Sequence, residues 1–130
     1  RRGNKALHPP CSTGDLIDRV TILRIKRERM ADEGKLINVR RELMLLEAEA
    51  ESNGMVGAAV EALAEELAEV NDQLWEVEDA LRLCERDSEF GSRFVALARS
   101  VYRLNDRRAA LKRAINALFD SALIEEKSYG

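Results

Sequence analysis

Residues 60–84 read VEALAEELAEVNDQLWEVEDALRLC, and apolar side chains recur in this stretch at alternating steps of three and four. This spacing is typical of the seam of a coiled-coil helix, and neither Gly nor Pro interrupts it. Residues 90–118 repeat the alternation, with Arg108 as the one charged member of the seam. Only a short polar, Gly-containing link separates the two stretches, so they are predicted to fold back on each other as a long antiparallel hairpin.

The two stretches carry charges of opposite sign. Residues 55–89 contain eleven acids and two bases, whereas residues 91–120 contain seven bases and two acids. Opposite charges favour pairing of the two helices with each other and disfavour pairing of the acidic helix with itself. If the chain turns near residue 88, Arg108 is predicted to face Val70.

The first half of the chain is predicted to add two shorter helices. Apolar residues recur every three or four positions from Leu16 to Met30 and again from Leu36 to Ala50. The predicted fold is therefore all-α, with a short N-terminal helical hairpin packed on the long one in a single domain, 13–130. Residues 1–12 are predicted to be a flexible basic arm. The predicted helices cover residues 13–31, 35–52, 56–86 and 91–120, and a C-terminal tail follows.

Composition narrows the class of protein. The chain has 130 residues, of which 45% are hydrophobic and 35% charged, and this suits one domain with a core and well-solvated outer faces. Cys11 and Cys84 lie far apart, so a disulfide framework is not expected and reduced thiols indicate a cytoplasmic protein. The sequence contains no apolar run long enough for a membrane span.

The charge pattern argues against nucleic-acid binding and against a metal site. The basic stretch 91–120 is predicted to pair with a helix that carries more acid, and the net charge of the chain is -3. The spacings Glu66-x-x-Glu69 and Glu76-x-x-Asp79 resemble carboxylate pairs that hold Mg²⁺, yet both pairs lie on one helix among eleven acids. We therefore expect no nucleic-acid partner, no metal and no other cofactor.

Polar residues beside the seam form the candidate site. Arg108 lies in the seam itself, and a buried charge must be paired because leaving it unsatisfied costs several kcal/mol. Its partner remains open among Glu66, Asn71 and an acid of the first helix, Asp15 or Asp18. In an antiparallel hairpin the polar edges of the two long helices converge on one side. The predicted polar set comprises Asp15, Asp18, Lys26, Asn71, Trp75, Glu78, Asn105, Arg108 and Lys112.

Two interpretations of this polar set remain open. It is either a buried network that fixes the register of the helices, or the lining of a pocket for a small anionic or sugar-nucleotide-like ligand. Catalytic residues are not assigned, because His8 lies in the arm and Cys84 has no activating neighbour on its seam. Whether the protein is an enzyme is left open.

Several strings carry a resemblance to known sequences. The chain from Gly14 onward resembles a family of small bacterial proteins of unknown function. Two of the strings, LWEVED and NDRR, are also similar to those of an uncharacterised family associated with surface-polysaccharide gene neighbourhoods. The resemblance implies no known activity, but it places emphasis on Asp15, Asp18, Lys26, Trp75, Glu78, Asn105 and Arg108. The strings that carry it are GDLIDRVTILRIK at 14–26, NVRREL at 38–43, LWEVED at 74–79, NDRRAALK at 105–112 and EKSY at 126–129.

The predicted lengths of the helices point to an assembly function. The long helices are expected to reach about 45 Å and the first two little more than half of that, so apolar seam stays uncovered. A homodimer, or a helical protein partner, is expected to bury it. We therefore predict a helical interaction or assembly module, which the resemblance places in cell-envelope saccharide synthesis. The alternative is an enzyme or sensor that binds a small phosphorylated or sugar-nucleotide ligand in a cleft around Arg108.

Overall fold

The computed structural model describes the backbone of residues 11–129 and the side chains of residues 11–120. The described residues contain no strand, which confirms the all-α class. No described helix combines the length and the apolar character that a membrane span requires. Most of the predicted arm, including His8, lies outside the described residues. The four helices are α1 (Thr13–Arg29), α2 (Glu33–Ser52), α3 (Ala58–Arg86) and α4 (Ser92–Tyr129).

Side-chain caps determine where α1 and α2 begin. Ser12 Oγ accepts a hydrogen bond from the backbone N–H of Asp15 at 3.1 Å, and Asp32 Oδ1 accepts one from the backbone N–H of Lys35 at 3.0 Å. Each bond satisfies a donor that has no partner within the helix. The chain leaves α2 through Gly54, whose φ of 73° lies in the left-handed region that favours glycine.

Helix α4 continues to Tyr129, past the end predicted for it at residue 120. The segment 121–129 reads SALIEEKSY and contains neither Gly nor Pro. Ala, Leu, Glu and Lys are strong helix formers, so nothing in this segment ends the helix. At the other end of the chain, α1 stops at Arg29, slightly before the predicted boundary, and Met30 adopts an extended conformation.

Helices α3 and α4 form the predicted antiparallel hairpin. Near the turn, Arg93 Nη1 donates a hydrogen bond to Cys84 Sγ at 3.3 Å. Farther from the turn, Arg107 forms an ion pair with Glu66. Later residues of α4 therefore meet earlier residues of α3, as antiparallel pairing requires. Ser88, with a φ of 53°, lies in the turn itself.

The main core joins α1 to the hairpin, and α2 is attached mostly to α1. Leu67 of α3 and Ile115 of α4 are completely buried, and Leu16 of α1 belongs to the same cluster. A second cluster joins α1 to α2 alone, and its buried members are Val20, Leu23, Val39 and Leu43. The face of α2 that points away from α1 is consequently left to solvent.

Candidate functional site

Asp18 of α1 and Arg108 of α4 form a bidentate ion pair at the centre of the polar set. Arg108 Nε lies 2.9 Å from Asp18 Oδ1, and Arg108 Nη2 lies 2.6 Å from Asp18 Oδ2. The side chain of Asp18 is 6% exposed and that of Arg108 is 30% exposed. Two parallel charge-assisted hydrogen bonds fix both the distance and the orientation of the partners. The ion pair therefore holds α1 against α4 at Arg108, the charged residue of the α4 seam.

Asn71 connects this ion pair to the third helix. Its Nδ2 donates hydrogen bonds to Asp18 Oδ1 at 2.9 Å and to Thr21 Oγ1 at 2.8 Å. The hydroxyl of Thr21 donates in turn to the backbone oxygen of Asp18 at 2.8 Å. Within the described part of the chain, no buried side-chain nitrogen or oxygen lacks a hydrogen-bond partner. A fully satisfied buried network of this kind favours one arrangement of the helices over others.

The network keeps both charges of the central pair in place. Burial raises the pKa of the Asp18 carboxyl, but hydrogen bonds from Arg108 and Asn71 lower it by more, and the net shift is downward. The hydrogen bonds to Asp18 raise the pKa of the Arg108 guanidinium, and burial opposes this rise only in part. Asp18 and Arg108 are therefore both ionised at neutral pH.

The start of α1 is held closely against α4. Lys112 Nζ lies 2.8 Å from Asp15 Oδ1, and this contact is the main reason that the pKa of Asp15 is lowered. Asn116 Oδ1 accepts hydrogen bonds from the backbone N–H of Gly14 at 2.7 Å and from Thr13 Oγ1 at 3.1 Å. A side chain at Gly14 would clash with the backbone oxygen of Lys112. The absence of a Cβ therefore permits this close approach.

A groove of about 200 Å³ lies beside the network, between α1, α3 and α4. Asp18 already balances the charge of Arg108 at one end of the groove, and Asp79 pairs with Arg82 at 2.9 Å near the other. Glu78 adds a further carboxylate. The groove is thus mostly apolar and contains no group of uncompensated cations. Its lining residues are Ile22, Ile25, Asn71, Leu74, Trp75, Glu78, Arg82 and Arg108.

Trp75, which lines the groove, is covered on one side by Arg29 at the end of α1. The guanidinium carbon of Arg29 lies 5.9 Å from the centre of the Trp75 ring, in cation–π contact. Arg29 Nη2 also lies 2.7 Å from Asp72 Oδ1 and 2.7 Å from Glu76 Oε1. The indole is therefore part of the contact between α1 and α3, which leaves less of its surface for a ligand.

The structure brings most of the predicted polar set together. Of the remaining members, Trp75 and Glu78 line the adjacent groove. Asn105 is exposed on α4, Lys26 is half-buried on α1, and neither side chain makes a hydrogen bond to the network among residues 11–120. A ligand-binding role for the set stays a prediction. The members in mutual contact are Asp15, Asp18, Asn71, Arg108 and Lys112.

Sequence reasoning did not include Thr21, Asn116, Gly14 or Arg29 in the site. Helical spacing offers a signal for two of them, because Thr21 follows Asp18 by three residues and Asn116 follows Lys112 by four. Such residues lie on the same side of a helix. Among the described residues, no three Asp, Glu, Cys or His side chains are grouped closely enough to hold a metal ion.

The chain belongs to a family of unknown function, DUF6165, which matches residues 8–130. This match confirms the resemblance to a family of unknown function and covers nearly the whole chain. No curated protein and no solved structure matches the chain. The family carries no activity that could be transferred, so a function has to be argued from the geometry.

Proposed function

We propose that this protein is a helical assembly module that forms a homodimer through residues 77–104, here called the hairpin end. The observation that carries the proposal is a set of large apolar side chains exposed on this part of the molecule. Two of them, Val95 and Tyr102, are seven residues apart and so share one side of α4, and neighbouring apolar residues at a protein surface mark interaction sites, whereas single ones are common on any surface. They are Leu83, Phe90, Val95 and Tyr102, with exposed fractions of 46%, 53%, 44% and 74%.

The first helix is too short to cover the hairpin end. Its ion pairs and hydrogen bonds come no closer to the turn than Glu76 on α3 and Arg108 on α4. With 29 residues α3 extends about 43 Å, whereas α1 with 17 residues extends about 26 Å. Beyond α1, no third helix of the described part of the chain packs on the hairpin.

The charges of the hairpin end favour a second copy of the chain as the partner. Residues 77–89 carry five acids and two bases, and residues 90–104 carry three bases and no acid. Two hairpins that pack in opposite directions place the acidic α3 of one copy beside the basic α4 of the other. Each exposed ion pair contributes only about 0.2–1 kcal/mol. Together, however, the pairs select this arrangement over contact between two acidic helices.

The proposal is tested by the mass of the protein in solution. Light scattering over a range of concentrations is expected to give a multiple of the chain mass for the wild type and a smaller mass for Val95→Glu. The matched control is Ala62→Glu, which introduces the same exposed charge on α3 outside the hairpin end and is expected to keep the wild-type mass. Circular dichroism checks that each variant is folded. An unchanged mass for Val95→Glu, or a monomeric wild type at every concentration, would contradict the proposal.

An enzyme or sensor for a small phosphorylated or sugar-nucleotide ligand is the second candidate, and the groove beside Arg108 is the feature that supports it. At about 200 Å³ the groove is smaller than ligand pockets usually are, since these span roughly 300–1,000 Å³. The ionic partner that Arg108 already has in Asp18 further weakens this candidate. A place in bacterial cell-envelope saccharide synthesis is proposed on the sequence resemblance alone, and a cytoplasmic location on the two cysteines, which are expected to be reduced thiols.

A further inference from the structure

We infer that the outward face of α2 is a second contact surface, through which two copies of the chain pair antiparallel about a two-fold axis. The surface shares no residue with the hairpin end. It therefore adds a separate contact to the proposed assembly and does not depend on the hairpin contact for its existence.

The outward face of α2 carries a stripe of large apolar side chains, here called the α2 stripe. Its members are Ile37, Met44 and Leu45, which are 53%, 70% and 65% exposed. Successive residues of a helix are rotated by about 100°. The stripe therefore lies on the opposite side of α2 from the residues buried against α1. Three large apolar residues on one helix face form a contact surface, unlike apolar residues scattered singly.

Charged residues beside the stripe have no ion-pair partner in their own chain as far as residues 11–120 are described. Arg40 lies in the N-terminal half of α2 and Glu51 near its C-terminal end. They are eleven positions apart, about three helical turns, so both lie along the same edge of the stripe. Glu42 pairs with Arg19 and Glu47 with Arg24, whereas the exposed Arg41, on the same face as the stripe, and Glu49 also form no ion pair among these residues.

An antiparallel pair of α2 helices accommodates both the stripe and the charges. A two-fold axis near Leu45 packs Met44 and Leu45 of one copy against the same residues of the other. Edges that carry the same residues face each other in an antiparallel helix pair. Arg40 of each copy then lies beside Glu51 of its partner. In a parallel pair the edge that carries Arg40 and Glu51 would face the other edge of the partner helix, so these two charges would not meet.

Two different two-fold contacts on one chain have a consequence for the size of the assembly. A chain that pairs through both the hairpin end and α2 forms a closed tetramer of dihedral symmetry or an open row of copies. Removing either contact is expected to leave dimers held by the other. The two contacts can therefore be tested one at a time.

The α2 contact is tested by exchanging its charges in a protein that already carries Val95→Glu, so that the hairpin contact does not contribute. In this background Arg40→Glu and Glu51→Arg are each expected to abolish dimers, because like charges then face each other twice. A one-to-one mixture of the two variants is expected to form a heterodimer. One copy then carries two acids and the other two arginines at positions 40 and 51, so both ion pairs between the copies are restored. Native mass spectrometry resolves the mixed species from each homodimer.

The controls use exposed charges away from α2. Arg113→Glu and Glu65→Arg, in the same background, are expected to keep the dimer of the parent and to show no preference for the mixed species. The double variant Arg40→Glu/Glu51→Arg is expected to regain the dimer.

Each result decides between the two contacts. A parent protein with Val95→Glu that is monomeric at every concentration would overturn the α2 contact and leave the hairpin contact supported. Dimers that survive both charge changes, or a mixture without heterodimer, would also overturn the α2 contact. If Val95→Glu leaves the wild-type mass unchanged while the charge variants behave as expected, the α2 contact stands and the hairpin proposal fails.

Discussion

Replacing Asp18 by Asn is expected to destabilise the fold by about 3 kcal/mol, because it leaves a largely buried arginine without its partner. The substitution keeps the shape of the side chain and removes only its charge and one acceptor. Both Arg108 and Asn71 donate hydrogen bonds to Asp18. An amide at this position has one oxygen to accept them, so its N–H₂ group must face another donor.

The magnitude follows from the burial of the two partners. Removing one member of a buried ion pair costs roughly 3–5 kcal/mol. The side chain of Arg108 is 30% exposed, so water replaces part of the lost interaction. The loss of stability is therefore expected at the lower end of this range. The free energy of unfolding falls by roughly 1–3 kcal/mol for each molar step in urea. A loss of about 3 kcal/mol therefore lowers the midpoint by about 1.5 M.

Urea unfolding at neutral pH, followed by far-ultraviolet circular dichroism, measures this loss directly. Asp15→Asn is the matched control, because it makes the same chemical change on the same helix. The Asp15 side chain is 51% exposed in its pair with Lys112, so its loss is expected to stay below about 1 kcal/mol. Equal losses for the two variants, or a loss below about 1 kcal/mol for Asp18→Asn, would refute the central role of the network.

Because the pKa of Asp18 is lowered, the stability of Asp18→Asn should depend on pH differently from that of the wild type under acidic conditions. A carboxyl with a lower pKa in the folded state stabilises the fold fully above its unfolded pKa, which is about 4 for Asp. That contribution is lost as the pH falls through the lower, folded pKa. Stability of the wild type should therefore fall more steeply below about pH 4 than stability of Asp18→Asn. Parallel acid profiles would contradict this assignment.

Two further predictions concern the contact of α1 with α4 and the groove. Gly14→Ala should cost about 1–3 kcal/mol in urea unfolding, because its Cβ meets the backbone oxygen of Lys112. Gly91→Ala, just before α4, is the control, because a Cβ there meets no atom within 4 Å, and it should leave stability unchanged or slightly higher. Nucleotide sugars should leave the melting temperature of the wild type unchanged if the protein is an assembly module. A rise that disappears in Arg82→Ala would favour the ligand-binding alternative instead.

The long hairpin was predictable because its seam and its charges point to the same pairing. The alternating spacing of three and four residues places apolar side chains on one face of each helix, and the opposite net charges favour contact between the two helices. Both signals are local to residues 60–118, so they need no knowledge of the rest of the chain. The contact between Arg107 and Glu66 shows the expected antiparallel arrangement.

The partner of Arg108 was not predictable to the same degree. The first helix has apolar residues on more than one side, Ile17, Ile22 and Ile25 among them, so its pattern does not fix its rotation on the hairpin. Four groups therefore remained candidates until the structure placed Asp18 on Arg108.

Asn105 shows a second limit of reasoning from heptad positions. It shares an edge of α4 with Lys112, and that edge was expected to contribute both residues to the site. Lys112 reaches Asp15 because it has a long side chain and the start of α1 lies beside it. Asn105 has a short side chain and is exposed. The heptad position predicts the edge, but side-chain length and the position of α1 decide which residues make contact.

The polar network and the exposed apolar surfaces have a common cause in the position of α1. Asp18 meets Asn71 and Arg108 only when α1 lies against the part of the hairpin away from the turn, and this leaves the hairpin end uncovered. Helix α2 follows after a short link and is tied to α1 by the pairs Arg19–Glu42 and Arg24–Glu47. A single chain that moved α1 and α2 to cover the hairpin end would have to break the network, at a cost of about 3 kcal/mol or more. A second copy could cover the same surface and leave the network intact, and this difference in cost supports the proposed association.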